Sequence, residues 1–152
     1  MTARIFQLSR SRGGVPKLSI REARATTLGL EGDKQEHTKI HGGPERALSL
    51  FSVEVIEALQ AEGHPIYPGS AGENVTISGL DWPVLAPGMR LALGDEVIVQ
   101  LTRTATPCKQ IAESFVGQEF DRLGAPNQMR WYSRVVREGL LRVAMPVRIL
   151  DR

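Results

Sequence analysis

The chain carries one cysteine in 152 residues. No intrachain disulfide framework can form, and a reducing, cytoplasmic address is the expectation. Aromatic residues make up only 5%, so stacking platforms for single-stranded nucleic acid are scarce. The net charge of +2 is too small to point to a nucleic-acid partner. No apolar run approaches the length of a membrane span, and Met1-Thr2-Ala3-Arg4-Ile5-Phe6 has no signal-like apolar stretch. Internal repeats, coiled-coil heptads and low-complexity tracts are also missing. What is present is ordinary for a globular protein: 41% hydrophobic and 24% charged residues. The length suits one domain over 1–152 with a core of its own. The basic residues are 15 Arg against 4 Lys. Arginine forks match phosphate and carboxylate oxygens, although a GC-rich base composition gives the same bias.

Gly and Pro are spread along the chain, and short periodic runs alternate with turn signals, the pattern of a mainly β domain. Strands are expected at Ala3–Ser9, Lys17–Ile20, Arg24–Leu28, Ala47–Phe51, Gly72–Ile77, Met89–Leu93, Val97–Thr102, Met129–Val136 and Leu140–Leu150. A polar loop is expected from Gly32 to Pro44. Ser52 is a good helix N-cap, with Glu54 and Glu57 near the positive end of the dipole and Gly63 as the stop. A second short helix is expected to start at Lys109 and run to Phe115.

Four constellations carry possible chemistry. In His41-Gly42-Gly43-Pro44-Glu45-Arg46 the glycines let backbone N–H groups form an anion-binding nest, with Arg46 as a phosphate fork; a plain Gly-Gly turn is the alternative. His37 and His41 have zinc-ligand spacing, but their surroundings are not helical, no HExxH is present and the cysteine is distant, which argues against zinc. In Gly72-Glu73-Asn74-Val75-Thr76, Asn74 offers a donor and an acceptor for an amide-bearing ring edge, or simply ends a glycine turn. Thr104-Ala105-Thr106-Pro107-Cys108 places the lone thiol just after the strongest strand. A helix start and Lys109 there would favour thiolate, the metal-binding form; an inert buried cysteine is the alternative. In Arg130-Trp131-Tyr132-Ser133-Arg134, strand alternation puts Arg130, Tyr132 and Arg134 on one face, suited to an anion or simply solvated.

Taken in order, His41-Gly42-Gly43 with Arg46-Ala47, Gly72-Glu73-Asn74, Thr106-Pro107-Cys108 and Trp131-Tyr132-Ser133-Arg134-Val135 resemble the MOSC domain, the C-terminal domain of molybdenum cofactor sulfurases, which also occurs as small stand-alone bacterial proteins. The resemblance runs from about Ala3 to Leu150. It implies a mainly β, barrel-like fold with a few short helices, and binding of the molybdenum cofactor, a pterin carrying a dithiolene and a phosphate. It makes Cys108 a catalytic molybdenum ligand and His41, Gly42, Arg46, Asn74, Thr104 and Arg134 cofactor-binding residues. The chain departs from larger reductase members in having no extra N-terminal β-barrel region. It has no cysteine-desulfurase domain, and none of its lysines lies in a pyridoxal motif, so pyridoxal phosphate is not expected on this chain.

Two activities follow from the resemblance. One is a molybdenum-dependent oxidoreductase that reduces N-hydroxylated or similar small compounds, with electrons from a separate donor protein, since one cysteine cannot hold an iron–sulfur cluster. The other is a sulfur or cofactor carrier without turnover of its own, served by a cysteine desulfurase. Neither involves nucleic acid or a membrane. A β-rich binding domain that takes no molybdenum is the bland alternative.

Overall fold

The structure is a computed structural model and is described here for residues 2–11, 17–33, 46–105 and 128–151. Among these, the strands are β1 (Arg4–Arg10), β2 (Leu18–Ile20), β3 (Glu22–Thr26), β4 (Gly29–Leu30), β5 (Leu48–Ser52), β6 (Val75–Ser78), β7 (Arg90–Leu93), β8 (Val97–Thr104), β9 (Trp131–Arg137), β10 (Gly139–Arg142) and β11 (Val147–Asp151). One α-helix, α1 (Val53–Ala61), follows β5 directly, and Trp82–Val84 form a single 3-10 turn. The fold is mainly β, as the alternating runs imply. Val97–Thr102 alternates buried and half-buried along β8, the signature of a strand with one face on the core.

Ser52 caps α1 as expected. Its backbone is extended and its hydroxyl accepts a hydrogen bond from the Val55 N–H at 3.2 Å. The helix buries Val53, Val55, Ile56 and Leu59. Gly63, with φ of +97°, takes the left-handed conformation beyond its end. The helix lies in the connection between β5 and β6, which are the one parallel pair of the main sheet. A parallel pair needs such a crossover.

The main sheet has eight strands in the order β11-β7-β8-β9-β5-β6-β1-β2, and β10-β3-β4 form a second, three-stranded sheet. Among the described residues the sheets do not close into a barrel. Arg4 and Pro146 form a bridge, supported by Ile5 N–H to Met145 O and Val147 N–H to Ala3 O, so the approach to β11 bonds to the start of β1. Leu48, Leu50, Phe51, Val75, Ile77, Leu91, Val99, Leu101 and Trp131 fill the core.

Two stretches differ from the sequence expectation. Leu140–Leu150 is not one strand: the chain turns at Val143–Met145, where Ala144 has φ of +79° and Met145 N–H donates to Arg142 O. The turn sends β10 to the small sheet and β11 to the large one. The run Arg24–Leu28 ends early, because Thr27 and Leu28 form the tight turn into β4, held by Thr26 Oγ1, which accepts from Leu28 N–H.

Candidate functional site

One face of the main sheet carries a polar layer instead of an apolar one. The ladder sets Arg103 of β8 beside Tyr132 of β9, and Tyr132 beside Ser49 of β5. A register shift between Leu101 and Arg103 is what puts Arg103 opposite Tyr132. Arg46, just ahead of β5, reaches the same ring. Its guanidinium carbon lies 5.4 Å from the Tyr132 centroid, and that of Arg103 lies 6.0 Å away. Each such contact is worth about 0.5–2 kcal/mol, depending on desolvation. Two cations on one buried tyrosine repel each other, and among the described residues no carboxylate pairs with either. An anion between them would relieve that repulsion.

Next to Ser49 lies Asn74, fully buried at the start of β6. Its Oδ1 accepts from the Ser49 N–H at 3.1 Å and the Ser49 hydroxyl at 3.3 Å. Its Nδ2 donates to Ser9 O at 3.3 Å and to Asp33 Oδ2 at 2.8 Å. The side-chain amide is therefore fully engaged inside the protein, and Asn74 acts as a hub joining β1, β5 and the chain at Asp33. Asp33 also pairs with Lys17 Nζ at 2.7 Å and accepts from Ser11 N–H at 2.8 Å.

Glu73 is fully buried as well. Its Oε2 accepts from the Gly69 N–H at 3.0 Å and the Thr76 hydroxyl at 2.9 Å, while Oε1 meets no donor among the described residues. Burial pushes its carboxyl above the usual value near 4.5, against the opposing pull of these hydrogen bonds and of Arg130. Because the folded state holds this proton more tightly than the unfolded chain, Glu73 favours folding below about pH 4.5 and loses that contribution as pH rises through its raised pKa. Glu73→Gln removes the titration. We expect its denaturation free energy to decline less than wild type from pH 4.5 upward, as urea titrations at several pH values would measure.

Of the residues singled out in the sequence, His41, Gly42 and Cys108 lie outside the described residues, as do His37 and the expected helix from Lys109 to Phe115. Arg46 stands at the tyrosine clamp. Thr104 ends β8 opposite Trp131. Arg134 is exposed on the same face of β9 as Tyr132 and donates from Nε to Gln100 Oε1 at 3.0 Å. Arg130 differs from the expected open Arg–Tyr–Arg face: it is 6% exposed and donates from Nη1 to Ala71 O. The arginines that stack on Tyr132 come from neighbouring segments, Arg46 and Arg103. Sequence reasoning quoted Glu73 within its motif without giving it a role, and did not single out Arg103, Lys17 or Asp33. The visible signal was a carboxylate inside a glycine-to-strand run, Gly72-Glu73-Asn74-Val75. No group of three or more His, Cys, Asp or Glu suited to a metal ion occurs among the described residues. No helix among them is long and apolar enough to cross a membrane.

The sequence profile of the MOSC domain matches residues 37–148, a span that runs from before His41 into β11. This chain belongs to the MOSC domain family. It is 28% identical over 125 residues to the uncharacterized protein YflK of Bacillus subtilis, covering 81% of this chain and 56% of that protein. It is 27% identical over 139 residues to protein YiiM of Escherichia coli, covering 86% of this chain and 60% of YiiM. The MOSC chain thus spans less than two thirds of the length of these two relatives. Its fold is shared with the crystal structures of YiiM from Geobacillus stearothermophilus (TM-score 0.76, 18% identity, 99% of this chain and 76% of that one) and the YUAD protein from Bacillus subtilis (TM-score 0.77, 20% identity, 97% and 94%).

Proposed function

We propose that this MOSC protein binds the molybdenum cofactor at the polar face of the main sheet and reduces N-hydroxylated or similar small compounds there. MOSC domains are associated with that cofactor. The observation that carries the reading is the convergence of Arg46 and Arg103 on Tyr132, with no carboxylate partner for either among the described residues. This donor set fits a pterin phosphate: two guanidinium groups supply charge-assisted hydrogen bonds to its oxygens. When bound, the cofactor supplies two-electron oxygen-removal chemistry.

The protein's part is binding and orientation. Arg46 and Arg103 would hold the phosphate, and the guanidinium of Arg134, on the same face of β9 as Tyr132, would add a polar contact; Thr104 pairs with Trp131, whose side chain lies in the core, and falls on the opposite face. His41 and Gly42, outside the described residues, would lend backbone N–H groups to the same anion. Asn74, whose amide is spent on Ser9, Asp33 and Ser49, serves the site by fixing those segments. Cys108, outside the described residues, would supply a thiolate to the metal. Electrons come from a separate donor protein.

Protein made in a molybdate-supplied host should carry stoichiometric molybdenum and an oxidisable fluorescent pterin, by metal analysis and fluorescence. Arg46→Ala and Arg103→Ala should each lower pterin retention about tenfold or more, the loss of one charge-assisted hydrogen bond. Metal-free protein from a host whose other molybdoenzymes are loaded would overturn the reading. Full loading without turnover, with any electron donor, would favour the sulfur or cofactor carrier instead.

A further inference from the structure

The turn Gly69-Ser70-Ala71-Gly72 is built from four small residues, and all but Gly72 are buried. Its backbone groups are taken up from separate parts of the fold. Gly69 N–H donates to Glu73 Oε2, and Gly69 O accepts from Lys17 N–H. Ala71 O accepts from Arg130, and Gly72 O accepts from the Ser49 hydroxyl at 3.1 Å. There is no room to move: Gly69 has φ of +92°, and a Cβ there would lie 2.7 Å from Lys17 O and 2.9 Å from Ser9 Oγ. Two of these partners bracket Tyr132. Ser49 lies directly across from it on β5, and Arg130 precedes it by two residues in the chain, just ahead of β9.

We propose that Glu73 is a positioning residue: through the Gly69–Gly72 turn it fixes Ser49 and Arg130, and so sets the Tyr132 ring on which Arg46 and Arg103 converge. Glu73 acts from below the site. Its carboxyl is fully buried and touches the turn and β6, and neither arginine of the clamp. An apolar residue could fill the same space. A side-chain acceptor oxygen is needed because it must accept from both the Gly69 N–H and the Thr76 hydroxyl, tying the turn to β6. The importance of the clamp rests on the function proposed above; its geometry does not.

The test therefore reads the clamp in protein without cofactor. Arg46 and Arg103 side-chain protons near the Tyr132 ring carry ring-current shifts in NMR spectra, identified by their loss in Tyr132→Leu. Below the melting temperature, Glu73→Ala should lose those shifts and Glu73→Gln, which keeps the acceptor oxygen, should retain them. In cofactor-loaded protein, pterin retention should fall about tenfold in Glu73→Ala, through the loosened arginine contacts, and stay near wild type in Glu73→Gln. If Glu73→Ala does not fold, Arg130→Met cuts the Ala71 link instead and should lose the shifts in the same way. A Glu73→Ala protein that melts early yet keeps both arginine shifts would overturn the proposal. So would Arg130→Met with wild-type shifts. Arginine shifts that behave as stated in a protein that never takes up pterin would sink the function and leave the positioning role standing.

Discussion

Cys108→Ser should abolish all molybdenum-dependent turnover and leave the fold intact. Serine is close to cysteine in size, so packing changes little. A hydroxyl has a far higher pKa than a thiol and is a harder donor, so it binds a soft or intermediate metal less well and forms no persulfide. The proposed reductase and the sulfur-carrier alternative both rest on that sulfur. An inert buried cysteine makes a different prediction, since a buried serine with no partner costs about 1–3 kcal/mol of stability and spares activity. Thermal melts and assays on the same sample separate the two. Wild-type specific activity in an early-melting variant would make Cys108 structural.

Much of the fold is legible along the chain because it is local. Ser52 announces a helix start by its own hydroxyl, and that hydroxyl does accept from Val55 N–H. The alternation of Val97, Val99 and Leu101 needs only one buried face to become a strand. The break after Arg142 is not legible, because the residue that takes positive φ is Ala144, which carries no glycine signal. The site divides the same way. Arg46 and Tyr132 stand out as residue types that grip anions. Their pairing with Arg103 depends on a register shift between two strands whose sequences do not specify it. Asn74 reads as a ligand-binding amide because its neighbours in space, Ser9, Asp33 and Ser49, are scattered along the chain. Once folded, its four hydrogen-bonding positions are filled by them.

Lys17 and Asp33 show what that blindness conceals, and they give the largest expected effect on stability. In sequence Lys17 opens an expected strand and Asp33 lies in an expected polar loop, both ordinarily solvated. In the fold their side chains are 5% and 4% exposed and meet at 2.7 Å. An exposed pair would be worth less than about 1 kcal/mol. Lys17→Met leaves the Asp33 carboxylate buried with two neutral N–H donors, from Ser11 and Asn74, and no counter-charge among the described residues. We expect a loss of about 3–5 kcal/mol, which for a domain of this size lowers Tm by about 6–20 °C. Adding Asp33→Asn to Lys17→Met removes the stranded charge and should restore part of the loss, whereas two independent sites would only add their costs. Urea titrations of both single variants and the double variant measure that coupling. The pair is buried and little screened, so it should persist in high salt. A Lys17→Met cost below about 1 kcal/mol, or a double variant no better than the sum of the singles, would mean that water reaches the pair and that Asp33 does not depend on Lys17.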